Sequence, residues 1–300
     1  MIQKEDITTW FKSLQDAICN SLEQADGGAK FIEDNWIRNE GGGGRTRILQ
    51  EGTIIEKGGV LFSAVHGPVP AFLLESPDRV KKEDLFYATG VSIVIHPKNP
   101  MVPIIHMNVR YFEMSNGIWW FGGGIDLTPH YVNKEEATFF HEALKTACDK
   151  HDVTFYEKFK NWADDYFFIP HRNETRGIGG VFFDKLTGKD PMSKETLFAF
   201  VQEIGNTFAP VYTTLMQKNY KKDYSAQNKQ WQLLRRGRYV EFNLVYDKGT
   251  RFGLETNGRV ESILMSLPAN ASWLYNYHPS PISEEALTLS FLKKGIHWTK

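Results

Sequence analysis

Only two of the 300 residues are cysteine, Cys19 and Cys148. No disulfide framework is available to this chain, and both cysteines read as reduced thiols of a reducing compartment. No apolar run approaches the roughly 18 residues that cross a bilayer. The opening residues, Met1-Ile2-Gln3-Lys4-Glu5-Asp6, carry early acids and lack the apolar stretch of a secretory leader. An excess of one charge is missing too: 35 Lys and Arg stand against 36 Asp and Glu, a net charge of −1. That balance excludes a surface built throughout for nucleic acid or anionic lipid. Internal repeats and Pro/Ser-rich linkers are also absent, so residues 1–300 read as a single cytoplasmic domain with no membrane span and no nucleic-acid partner.

Aromatic residues are plentiful: 21 Phe, 12 Tyr and 8 Trp, a load that no disordered chain carries. Ile7, Trp10, Phe11, Leu14, Ile18 and Leu22 recur at helical spacing and predict a helix over 5–24, closed by Gly27-Gly28. After Gly41 to Gly44 the period changes to two, with extended runs expected near 51–56, 59–65, 89–96, 102–113 and 118–123. Their connections are too short for parallel crossovers, so the strands form an antiparallel meander. Helices are expected at 134–150, at 154–168, at 194–208 (with a kink if the helix passes Pro210) and at 226–236, where Gly237 stops the last. Strands then return at 239–246, 250–256 and 259–266, with Lys248-Gly249 and Asn257-Gly258 as hairpin turns. The fold class is α+β: a large antiparallel sheet flanked on both faces by helices.

One strand carries chemistry. His106, Asn108 and Arg110 lie at i, i+2 and i+4 and share a face, while Ile105, Met107, Val109 and Tyr111 share the other. Spacing alone allows a plain solvated face, but Trp119-Trp120-Phe121, Gly122-Gly123-Gly124 and Asp126 follow on the next strand. Glycines there suit the close approach of a ligand or a second backbone, and an arginine beside aromatics suits a flat, anionic organic ligand. His96, His106, His141 and His171 are widely spaced, and His141-Glu142 lacks the second histidine of a zinc-protease helix. Gly41 to Gly44 lacks the spacing of a phosphate loop and reads as a mobile lid over 39–47 or as a simple linker. The basic stretch 217–238 reads as a solvated helix face. Residues alone lead to an α+β enzyme for an aromatic polycarboxylate, and no further.

Long blocks carry a resemblance. SIVIHP (92–97), PIIHMNVRYF (103–112), WWFGGGIDLTP (119–129), DDYFFIPHRNETRGIGGVFF (164–183), RRGRYVEFNLVYDKG (235–249) and GRVESILMSLP (258–268) follow in order. With these the chain resembles the oxygen-dependent coproporphyrinogen III oxidase family from about residue 7 to 298. The resemblance implies oxidative decarboxylation of two propionates of coproporphyrinogen III to vinyls. Protoporphyrinogen IX and CO₂ are the products, with O₂ as co-substrate and no organic cofactor. It implies a homodimer with contacts in 239–274, and it leaves open a divalent metal on His96, His106, His141 and His171. Ser92, Asn108, Val109, Arg110 and the turn Asn257-Gly258-Arg259 match substrate contacts. His106 matches a proton donor, Asp247 matches an acid facing the pyrrole nitrogens, and Asp126 joins them as a catalytic candidate. One departure is Lys248, where the family commonly has arginine: the charge is kept but the two-pronged grip is lost. A His-metal oxygenase and a tetrapyrrole carrier without chemistry are the rival readings.

Overall fold

The long alternating runs become a meander. In the computed structural model, which describes residues 2–69, 80–188, 192–255 and 258–299, seven antiparallel strands form one sheet. They are β1 (Ile32–Ile37), β2 (Gly42–Gln50), β3 (Ile55–Pro68), β4 (Leu85–Pro97), β5 (Ile104–Met114), β6 (Trp119–Thr128) and, after a short β7–β8 pair (Phe168–Ile169 and Glu174–Thr175), β9 (Gly180–Leu186). The order in space follows the chain, β1-β2-β3-β4-β5-β6-β9. One face buries Ile105, Met107, Val109 and Tyr111 in the main core, against α1 (Lys4–Asp26) and α4 (Lys194–Asn219). Helices α2 (Lys134–Asp149) and α3 (Phe155–Tyr166) extend that core. At the start of α2 the Asn133 side chain accepts from the Glu136 N–H and caps the helix.

The opposite face is covered only in part. Tyr239 of α5 (Ala226–Val245) packs on Val94 and Ile104. Met265, just beyond α7 (Val260–Leu264), fills the space a side chain at Gly59 would need. Ser262 on α7 meets Thr46 of β2 at 3.0 Å. Helices α6 (Lys248–Glu255) and α8 (Glu284–Phe291) are the remaining α-helices among the described residues.

Several expectations are corrected. The runs at 51–56 and 59–65 are one strand, β3, which starts only at Ile55 because Glu51 turns the chain at φ +56°. The glycine patch is not a loop over 39–47: the turn is confined to 38–41, and Gly42 to Gly44 lie in β2, all paired with β3 and Gly43 and Gly44 also with β1. A side-chain carbon at Gly42 would stand 2.2 Å from the Ala64 carbonyl, so glycine is required there by strand packing. Helix α4 takes the continuation that the sequence left open, through Pro210 to Asn219. Helix α5 likewise passes Gly237 and reaches Val245, and the strands expected at 239–246, 250–256 and 259–266 are the end of α5, α6 and α7. Gly237 is present because the Ser272 carbonyl lies 2.6 Å from where its Cβ would sit, not because the helix stops. Lys248-Gly249 opens α6 rather than turning a hairpin, and Asn257 lies outside the described residues.

Asp26 ties α1 to the start of β3. Its buried carboxylate accepts backbone N–H groups from Thr53, Ile54 and Ile55 at 2.7–2.9 Å and from Gly28 and Ala29 at 3.1–3.2 Å. Burial alone would raise its pKa, but these donors outweigh burial and hold it below the usual value. A carboxyl lowered in this way stabilises the fold above its unfolded pKa of about 3.9, and that contribution is lost as pH falls through the lower folded value. Asp26→Asn is therefore expected to cost about 2–3 kcal/mol at pH 7 and to flatten this part of the acid limb. Urea midpoints at pH 7 and pH 3 check both; equal midpoints for variant and wild type at pH 7 would contradict it.

Candidate active site

Register arranges the half-covered face into rows. Ser63, Gly90, Arg110 and Gly122 lie side by side across β3 to β6; the next row is Leu61, Ser92, Asn108 and Gly124; the next is Gly59, Val94, His106 and Asp126. Small residues thus form a floor, and its charged groups stand at one side. Gly122 leaves room for the Arg110 guanidinium, which would lie 2.8 Å from a Cβ there. Arg110 donates to Asn108 Oδ1 at 2.7 Å and to Asp184 Oδ1 at 2.8 Å. The predicted division of β5 is present as read: Val109, which the resemblance matched to a substrate contact, points with Ile105 and Met107 into the core on the other side of the sheet.

Behind the floor lies a buried charged group. His106 Nδ1 meets Asp126 Oδ1 at 2.8 Å, while Arg176 donates to both Asp126 oxygens (2.8 and 3.3 Å) and to Asn243 Oδ1 at 2.8 Å. The Arg176 guanidinium sits 4.5–4.7 Å from the ring centres of Phe167, Tyr239 and Phe242. Burial works to raise the Asp126 carboxyl, but Arg176 and His106 overcome it and hold the pKa below the ordinary value. Asp126 is therefore an ionised acceptor at neutral pH, and it fixes which edge of the imidazole faces inward. The His106 ring keeps a fifth of its surface open.

Asp247 stands at the junction of α5 and α6 rather than on a strand. Its Oδ1 accepts from the Tyr166 hydroxyl at 2.9 Å and its Oδ2 accepts the Thr250 N–H at 2.7 Å, capping α6. Tyr166 stacks on Phe182, ring centres 4.0 Å apart, and Phe182 pairs with Gly124 of the floor. Asp247 is thereby held beside the β9 edge of the floor. Arg259, before α7, pairs with Asp34 of β1 and keeps one buried guanidinium nitrogen without a hydrogen-bond partner among the described residues. The Gly258 N–H is bonded to the Gly253 carbonyl.

A flat floor, an arginine for carboxylate, a buried His-Asp-Arg group and a walled acid converge on one face. Residues 6–298 match the family model described as coproporphyrinogen III oxidase. The chain belongs to the coproporphyrinogen III oxidase family. It is 52% identical over 298 residues to the human mitochondrial oxygen-dependent coproporphyrinogen-III oxidase, covering 95% of this chain and 65% of that protein. The Drosophila melanogaster oxygen-dependent enzyme is 49% identical over 298 residues (95% and 75%) and that of Prochlorococcus marinus strain NATL1A 46% over 309 residues (95% and 88%). The chain thus spans just under two thirds of the human relative's length.

The four histidines weighed for a metal in this family member do not make a common ligand set. His141 is buried and bonded on both nitrogens, to the Tyr156 hydroxyl and the Ile178 carbonyl, each at 3.0 Å. His171 bonds the Tyr246 hydroxyl and Glu241, each at 2.7 Å. His96 faces the Ser266 carbonyl at 2.8 Å, and burial pushes its pKa down to about 3. Among the described residues no three His, Cys, Asp or Glu side chains stand together as metal ligands. The donor set does not fit such an ion.

Three residues of the site were invisible to spacing. Arg176 finds its carboxylate 50 positions upstream, Tyr166 finds Asp247 81 positions on, and Asp184 finds Arg110 across the sheet edge. Long-range pairs of this kind leave no local pattern.

Proposed function

We propose that this chain carries out the oxygen-dependent oxidative decarboxylation of coproporphyrinogen III, converting two propionates to vinyls and yielding protoporphyrinogen IX. The observation that carries the reading is the glycine floor between Arg110 and the ionised Asp126–His106–Arg176 group, inside a family whose relatives are named for this activity. The floor takes a flat ring, and Arg110 takes a carboxylate through charged hydrogen bonds. Each conversion takes a propionate, one O₂ and one proton to a vinyl, CO₂ and hydrogen peroxide. The propionate side chain loses two electrons and O₂ gains them.

The porphyrinogen is electron-rich, and loss of a pyrrole proton prepares it to reduce O₂ directly. A pyrrole N–H is a donor, so its partner is a carboxylate that only accepts. Asp247, with both oxygens already positioned by Tyr166 and Thr250, has that role in this reading. His106 donates and accepts and serves the peroxide or the reacting propionate; Asp126 holds its ring. Ser92 and Asn108 border the ring, and Arg259 meets a carboxylate from the α7 side. No organic cofactor enters this sequence.

We further read the chain as a homodimer through 239–274, where Leu244, Val245, Val260, Trp273 and Leu274 stand exposed. We place it in the cytoplasm, which suits two free, buried thiols.

Arg110→Ala tests the site. It is expected to raise KM for coproporphyrinogen III by about 1–3 kcal/mol of lost binding, roughly 5- to 150-fold. Steady-state kinetics in air on a variant with wild-type thermal stability check this. An unchanged KM and kcat would remove Arg110 from the site.

A further inference from the structure

The rows continue past Arg110. Next to Ser63, Gly90, Arg110 and Gly122 comes a row holding Ala88, Phe112 and Trp120, with Phe86 beyond it. Phe112 and Trp120 stack with ring centres 4.2 Å apart and planes 19° from parallel; Phe86 lies 5.9 Å from Phe112 with planes 5° apart. Phe112 and Trp120 are half-buried, so this shelf presents apolar surface beside the floor.

The neighbouring strand is distorted to serve the same place. Phe183 pairs with Gly123 and Leu186 with Phe121, so three steps on β9 match two on β6. Phe183 and Leu186 both point into the core beneath the sheet. The extra residue of this bulge therefore turns two consecutive side chains, Asp184 and Lys185, toward the site face. Asp184 reaches Arg110, and Lys185 Nζ stands 5.9 Å from the centre of the Trp120 ring. Lys185 takes φ +51°, a left-handed conformation that costs a lysine free energy and collects at functional positions. At the far end of the shelf the Arg38 guanidinium stands 5.7 Å from the Phe86 ring centre.

The substrate supplies a reason for both features. A coproporphyrinogen carries four carboxylates and apolar methyl edges. Arg110 reaches one of these carboxylates, and Arg176 is buried against Asp126 behind the floor. Propionates that are not reacting require other cations, and the methyl edges require apolar contact.

We propose that Phe86, Phe112 and Trp120, with Lys185 and Arg38 at the two ends, form a distal subsite for the non-reacting edge of the tetracarboxylate ring. Methyl groups lie on the shelf, and a propionate is held by Lys185. The subsite deepens the porphyrinogen reading of the same face and rests on it.

The test uses the full chain and coproporphyrin III, a tetracarboxylate ring that is already oxidised, with binding followed by fluorescence anisotropy. Lys185→Gln and Trp120→Leu are each expected to weaken Kd about five- to tenfold, and Lys185→Arg to stay within about twofold of wild type. Lys185→Gly separates folding from binding: it relieves the left-handed strain and raises the melting temperature, yet loses as much affinity as Lys185→Gln. An unchanged Kd in Lys185→Gln and Lys185→Gly, or in Trp120→Leu, overturns the subsite. Should the wild type bind the porphyrin but form no vinyl product from coproporphyrinogen III, the oxidase reading falls, and the same Kd ratios still decide the subsite.

Discussion

Asp126→Ala is expected to lower the unfolding free energy by about 3–5 kcal/mol, because it strands a fully buried arginine. Arg176 has only Asn243 as another hydrogen-bond partner among the described side chains, and three aromatic rings surround it. A charge in that setting has lost its water and now loses its counter-ion. The same substitution frees the His106 ring, so turnover should fall about a hundredfold or more in whatever fraction remains folded. Urea unfolding at pH 7, with activity measured per folded molecule, checks both parts. A variant as stable as wild type and running at the wild-type rate would show that the buried group neither supports the fold nor orients the histidine.

The second large effect sets Asp247 against His106. Asp247→Asn keeps the shape of the side chain, can still cap α6 with its oxygen on the Thr250 N–H, and can turn its amide N–H to the Tyr166 hydroxyl oxygen, so the fold should survive. What it loses is the charge that accepts from pyrrole N–H groups. His106→Ala removes a ring whose proton traffic water can partly replace. We therefore expect Asp247→Asn to abolish more turnover than His106→Ala, with a loss of about 10²–10⁴-fold for the former. Single-turnover rates under saturating oxygen and substrate decide it. A near wild-type rate in Asp247→Asn beside a dead His106→Ala would move the essential proton path to the histidine.

The legible parts of this chain were those in which local pattern and tertiary packing agree. On β5 the alternation of His106, Asn108 and Arg110 with Ile105, Met107 and Val109 reflects a real division between a site face and a core face. Helix α1 was legible because Ile7, Phe11, Leu14, Ile18 and Leu22 make one buried stripe, closed by Gly27 at φ +70°. The stretch 239–266 misled for the opposite reason. Tyr239, Val240, Phe242 and Val245 favour strands by type, and Lys-Gly and Asn-Gly mimic hairpin turns. The helix is held instead by Tyr239 and Phe242 closing on Arg176, Phe167 and His96, contacts that no local spacing encodes. The glycines of β2 misled similarly: they mark crowded backbone beside Trp36 and Ala64 rather than freedom to move. Within the site, the strand face and Asp126 could be read directly, while Arg176, Tyr166 and the bulge at Asp184-Lys185 depend on partners tens of residues away.

The most direct measurement follows carbon dioxide and vinyl product together from coproporphyrinogen III, with the purified chain in air and again under argon. The account predicts protoporphyrinogen IX in air with one CO₂ released and one O₂ consumed for each vinyl formed, and no product under argon. Tight binding of the porphyrinogen in air with no CO₂ released would make this face a tetrapyrrole-holding surface and contradict the account.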